Sequence, residues 1–217
     1  MGPGRRIPRP PATKPSMPEA PADAGDTPTQ ILKAAGDLVA LSGQIRECKV
    51  CNASGSIVSG TGSPRAPVML LKAFPSAADL ESGGAFTDEA DALTKAFEAL
   101  GIPIGWTYGT TAVRYATTAS ETREAIAHGV GHLMVEIEAV GPRVIVAFGP
   151  QASTAISKLN GHCGLEAPDP LPAAEPVRVR TDLHVLVTEP LPEGVTNKEA
   201  KRRLWRDLQT VPLLLAE

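Results

Sequence analysis

Cysteine is scarce in this sequence: Cys48, Cys51 and Cys163 are the only three among 217 residues. Three thiols build no disulfide framework, so a small scaffold held by cross-links is excluded and a reducing, cytoplasmic setting is expected. Aromatics are scarce too, at 4%. The core must therefore be assembled mainly from Ala, Val, Leu and Ile. Long apolar runs are missing; "VIVAF" at 144–148 is far too short to span a bilayer, so no membrane association is expected. Neither sign of charge dominates. Lys and Arg number 21 against 24 Asp and Glu, for a net charge of −3, so the total does not advertise a nucleic-acid partner, although a local basic patch is compatible with it. The opening "MGPGRRIPRP" has no apolar centre and does not read as a secretory signal.

What is present suffices for one domain with an appendage. Apolar residues make up 42%. Residues 1–27 are rich in Pro, Ala and Gly and hold almost no large apolar side chains, so they are expected to be a disordered tail, which leaves residues 28–217 as the folded domain. "TQILKAAGDLVALSGQIREC" has helical spacing, as do "DEADALTKAFEALGI", "PQASTAISKLNG" and "NKEAKRRLWRDLQTVPLLL". "SETREAIAHGVGHLMVEIEAVGP" predicts a long helix with a capping box opening at Ser120. "APVMLLKAF", "GWTYGTTAV", "PRVIVAFG" and "LHVLVTEP" read as strands, most of them apolar throughout. Strands that alternate with helices predict an α/β fold: a three-layer α/β/α sandwich around a mostly parallel sheet. Ligands of such sheets bind at the carboxyl ends of the strands, here after Leu71, Val113, Phe148 and Val187.

Taken in order, the segments at those ends resemble the family-4 branch of the uracil-DNA glycosylase superfamily, from about Ile45 to Val211. The likeness begins with the Cys-x-x-Cys of Cys48 and Cys51 and "IVSGTGSPRAPVMLL". In "KAFPSAADLESGGAF", Pro75, Gly83 and Phe86 match the family's Gly-Glu-Ala-Pro-Gly motif and the Gly and Phe that follow it. "TAVRY" falls on the Asn-bearing strand, "EIEAVGPRVIVAFGPQA" on the next strand and helix, "VTEP" on the His-bearing motif and "RRLWRDLQTV" on the final helix. The resemblance implies a base pocket made by Phe74, Pro75, Ser76, Phe86 and Thr111. The departures lie at the reactive positions. Ala73 stands where the family has its water-activating carboxylate, between Lys72 and Ser76 in place of glycines. Thr111 replaces the base-reading Asn. Glu189 replaces the His that stabilises the uracil anion, and a carboxylate there would repel that anion.

The resemblance also implies a four-iron four-sulfur cluster on four cysteines. Here the third position falls on Tyr115 and the fourth on about Gly129, and two thiolates are too few. Cys48 and Cys51 therefore read as a remnant, the cluster as lost, and neither metal nor cofactor is expected. His128 and His132 open a second reading, a Cys/Cys/His/His zinc site. The plainer account, two surface histidines four apart on one helix, is preferred because no other signature supports zinc.

Single residues carry alternatives of their own. Phe86 is either a base-stacking platform or a core side chain. Asp79 and Glu81 are candidate replacement general bases, and Glu189 facing either of them would make a glycosidase-like carboxylate pair; otherwise all three are solvated. Lys72 is placed to meet a phosphate or to snorkel from the core edge. Arg202, within the basic run Lys198, Lys201, Arg202, Arg203 and Arg206, is a candidate DNA contact or part of a solvated face. The expected protein is a glycosylase-fold chain without base excision that contacts DNA or a repair partner. The alternatives are an active glycosylase with relocated carboxylates and a protein-interaction module without a nucleic-acid role. The oligomeric state is left open.

Overall fold

The computed structural model describes residues 27–51 and 55–217, so the expected tail lies outside the described residues except for Thr27. Thr27 is the N-cap of the first helix, α1 (Pro28–Glu47): its hydroxyl accepts from the Gln30 N–H while the Gln30 side chain accepts from the Thr27 N–H. The chain then runs through β1 (Thr61–Gly62), β2 (Val68–Lys72), α2 (Ala77–Ser82), α3 (Ala90–Ala99), β3 (Thr107–Thr111) and α4 (Thr122–Val140). It continues through β4 (Val144–Phe148), α5 (Pro150–Ser157), β5 (Pro176–Arg180), β6 (Leu183–Thr188), α6 (Leu191–Thr196), α7 (Lys198–Leu208) and α8 (Val211–Leu215).

Among the described residues one six-stranded sheet has the order β1-β3-β2-β4-β6-β5. The inner four strands are parallel and the two edges antiparallel. The mostly parallel three-layer architecture thus agrees with the sequence. Every residue of the inner strands is buried, because both faces are covered. Met69, Leu71, Ile145, Ala147, Val185 and Val187 pack on α4 and α5. Their alternating neighbours Val68, Leu70, Val144, Val146 and Leu186 pack on α3, α7 and α8. α1 lies outside these layers, against α4, with a small core of its own made by Leu41, Ile45 and Cys51. No described helix is long and apolar enough to cross a membrane.

Three local features differ from the sequence reading. β1 is only two exposed residues, and β5 carries two arginines and a proline along a half-exposed edge, so neither shows an apolar strand pattern. The capping box before α4 is Thr118 with Glu121, not Ser120. The stretch after Pro75 includes the short helix α2, capped reciprocally by Ser76 and Asp79.

A buried ion pair ties the end of β3 to α4. Glu136 accepts from Tyr108 Oη at 2.8 Å and Thr110 Oγ1 at 2.7 Å, and it pairs with Arg114, which is wholly buried. Removing one member strands a charge in the core. Glu136→Ala is therefore expected to cost about 3–5 kcal/mol in urea unfolding, and adding Arg114→Met should return part of that loss.

Candidate functional site

The parallel register places Thr111, Lys72, Phe148 and Thr188 side by side at the carboxyl edge of the sheet. Lys72 ends β2 and its side chain turns inward. Its Nζ lies 2.6 Å from Asp79 Oδ2 and 3.0 Å from Glu89 Oε2, and sits 4.9 Å from the centre of the Phe86 ring. Asp79 is completely buried. Its Oδ1 accepts from the Thr87 N–H at 2.8 Å and its Oδ2 from the Ser76 N–H at 2.9 Å. Burial pushes the Asp79 carboxyl pKa up, but Lys72 and these two N–H groups together outweigh it and hold the group below the usual carboxylate value.

Phe86 is 5% exposed, meets Phe148 edge to face at 5.8 Å, and lies so close to Gly109 that a Cβ there would come within 2.8 Å of its ring. Its φ of 65° is one that non-glycine residues hold only when packing enforces it. Ala73 and Thr111 are buried as well, and the Thr111 hydroxyl has no hydrogen-bond partner among the described residues. Phe74, Pro75 and Ser76 are half-buried along the same turn.

Lys72, Asp79 and Glu189 sit differently from the expectations, while Phe86, Glu81 and Arg202 each take a position that the sequence leaves open. Phe86 is a core side chain whose ring faces an ammonium. Lys72 is neither directed at solvent for a phosphate nor snorkelling, because two buried carboxylates hold it. Asp79 is a helix cap and counter-ion with its oxygens already engaged. Glu81 is exposed at the end of α2. Glu189 is bound to Arg203 Nε at 2.6 Å and lines a cavity of about 490 Å³ with Pro150, Arg206 and Asp207. β4 intervenes between β2 and β6, so Glu189 starts two strand spacings, about 10 Å, from Lys72 and does not pair with Asp79. Arg202 is exposed on α7. Sequence reasoning missed Glu89, which had no signal beyond its place at a helix start, and the Arg114–Glu136 pair. Glu136 was detectable as a charge beside Leu133 and Ile137 on the apolar stripe of α4.

A second constellation lies at the end of α1. Cys48 is the C-cap of that helix, and the backbone N–H groups of Cys51 and Val50 are directed at its sulfur. Cys51 is fully buried. His128 and His132, one turn apart on α4, are half-buried and face the sulfurs, which corrects the reading of two ordinary surface residues. His128 Nε2 is 3.2 Å from Cys48 Sγ and 3.5 Å from Cys51 Sγ; His132 Nε2 is 3.5 Å from Cys51 Sγ. A four-thiolate cluster does not fit here. Tyr115 stands half-buried beside the cysteines, and a Cβ on Gly129 would lie 2.0 Å from the Ala112 carbonyl oxygen, so no cysteine side chain can enter at that position. Cys163 is exposed near Glu138, apart from the group.

In a scan against protein-family models, residues 59–209 match the one described as the uracil DNA glycosylase superfamily. The match includes the sheet edge and both histidines but begins after Cys48 and Cys51. A search of the curated proteins gave no match.

Lys72→Met would leave Asp79 and Glu89 buried without their cation. A stability loss of about 3 kcal/mol near pH 7 is expected from urea unfolding. The Asp79 pKa is depressed in the folded protein, so its contribution is complete above the unfolded value of about 3.9 and is lost as pH falls through the folded value. The gap between parent and variant should therefore shrink on acidification below about pH 4.

Proposed function

This chain belongs to the uracil-DNA glycosylase superfamily, and from that membership we propose that it is a member which has given up base excision and acts by binding. The observation that carries the reading is the Lys72 ammonium over the Phe86 ring. A flipped base needs a free ring face for stacking, and here the Lys72 ammonium, held by Asp79 and Glu89, lies over one face of that ring. Three further features support the same reading. The Ala73 side chain has no oxygen to orient a water, and its carbonyl is engaged by the Val113 N–H. The Thr111 hydroxyl is sealed from solvent. Glu189 takes the place of the His that, by the resemblance, would stabilise a uracil anion, and its carboxylate is turned to Arg203 instead. Electrostatic stabilisation is usually the largest contribution to catalysis, so its reversal weighs heavily.

Relocated chemistry has little support. Asp79 has no oxygen facing water, and Glu189 lies across β4 from the pocket. For DNA contact the supporting groups are Lys198, Lys201 and Arg202, which stay exposed on α7. They are the cations a phosphate backbone would meet.

Full-length protein incubated with uracil-containing single-stranded and duplex oligonucleotides is expected to release no more uracil than the protein-free control. Release well above that control, abolished by Glu81→Ala or Glu189→Ala, would establish relocated catalysis instead. DNA affinity measured by fluorescence anisotropy should weaken as salt rises. In Lys201→Glu/Arg202→Glu the slope of log affinity against log salt should become shallower by about 1 for each phosphate that the protein no longer neutralises. An affinity that ignores salt, or no affinity at all, would favour a protein-interaction module.

A further inference from the structure

We propose that Cys48, Cys51, His128 and His132 form a closed tetrahedral site for one zinc ion, which clamps α1 to α4. The four donor atoms lie within 4.8 Å of one another. Zinc bonds of about 2.3 Å to sulfur and 2.05 Å to nitrogen, at a tetrahedral angle, put sulfur and nitrogen about 3.5 Å apart. Three of the four sulfur–nitrogen separations are 3.2, 3.5 and 3.5 Å, and the fourth is within the 4.8 Å that bounds the whole group. A two-iron cluster would add an iron–iron vector between donors of different irons and spread them more widely. The spacing suits a single ion.

The surroundings are built for one as well. N–H groups of Val50 and Cys51 point at the Cys48 sulfur, the polarity that a thiolate requires. Both histidines offer the same nitrogen, Nε2, from rings set edge to face at 5.5 Å and 80°, so each ring brings a separate corner of the tetrahedron. Two thiolates, two neutral imidazoles and a divalent cation sum to zero, so the half-buried group carries no net charge. With four protein ligands the coordination is full, which is the pattern of a structural rather than a catalytic ion. There is also a structural need. Among the described residues, α1 buries Ala34, Leu41 and Ile45, with Leu38 half-buried against the main core, and that is modest apolar surface to hold a 20-residue helix. None of these observations touches the Lys72 pocket, so this site and the loss of excision stand or fall separately.

The test uses the full-length chain purified from cells supplied with both iron and zinc. Elemental analysis should find one zinc per chain, no iron and no acid-labile sulfide, in a colourless sample. Exchange of the zinc for Co²⁺ should give the intense visible bands of tetrahedral cobalt with thiolate-to-metal charge transfer. His132→Ala should weaken Co²⁺ binding by at least about tenfold. His128→Cys, which keeps four donors, should retain the tetrahedral spectrum with stronger charge transfer, and Cys163→Ser should change nothing. A strong chelator should lower the melting temperature of the parent. Stoichiometric iron with sulfide would overturn the proposal. So would weak, octahedral cobalt bands, or a chain that takes up no zinc on dialysis, or His132→Ala binding cobalt as tightly as the parent.

Discussion

The Lys72 ammonium governs the carboxyl edge of this sheet. It ends the central strand β2, where a parallel sheet would ordinarily open toward a ligand. A buried cation at that place requires counter-charge, and Asp79 and Glu89 supply it from the turn and helix that follow. The other departures along that edge accompany this one. Asp79 then caps α2 and fixes the loop through the N–H groups of Ser76 and Thr87. The loop in turn holds Phe86 at its positive φ, pressed against Gly109 and Phe148. The polar groups of this turn are satisfied internally, apart from the Thr111 hydroxyl.

The scaffold beneath is conventional for its class and does not depend on those changes. Alternate side chains of β2, β4 and β6 enter two separate apolar layers, and the register of the parallel strands keeps their ends level. The Arg114–Glu136 pair joins the end of β3 to α4 beneath the cysteine–histidine group. The molecule thus has separate polar groups at the sheet edge and between β3 and α4, with the cysteine–histidine group where the end of α1 meets α4.

Much of the frame was legible in the sequence, and the reasons are physical. "VMLLK", "VIVAF" and "LHVLVT" are buried on both faces, so an unbroken apolar run is their signature. β5 is an edge whose valines face in and arginines face out, so it has a short alternation after a proline and no unbroken apolar run. At the sheet edge the sequence showed where Ala73, Thr111 and Glu189 fall, since each follows or ends a strand. The contacts there could not be read. Whether Lys72 points outward or inward depends on Glu89, 17 residues later, and nothing local links the two. The histidines present the same difficulty on a larger scale. Spacing on α4 shows that His128 and His132 share a face, but the sulfurs lie some 80 residues away, brought in by the packing of α1 on α4.

Gly129 closes against the backbone after β3 with no room for a single carbon. It serves as the keel on which α4 rests. Any larger residue would meet a wall of main chain that no rotamer change can move, so the whole helix would have to lift. Both imidazoles ride on that helix and would rise with it, away from the sulfurs. A thiol introduced there would arrive only by dislodging the two nitrogens already in place. A thiol at position 129 and the two imidazoles are therefore alternatives that one backbone setting cannot hold together.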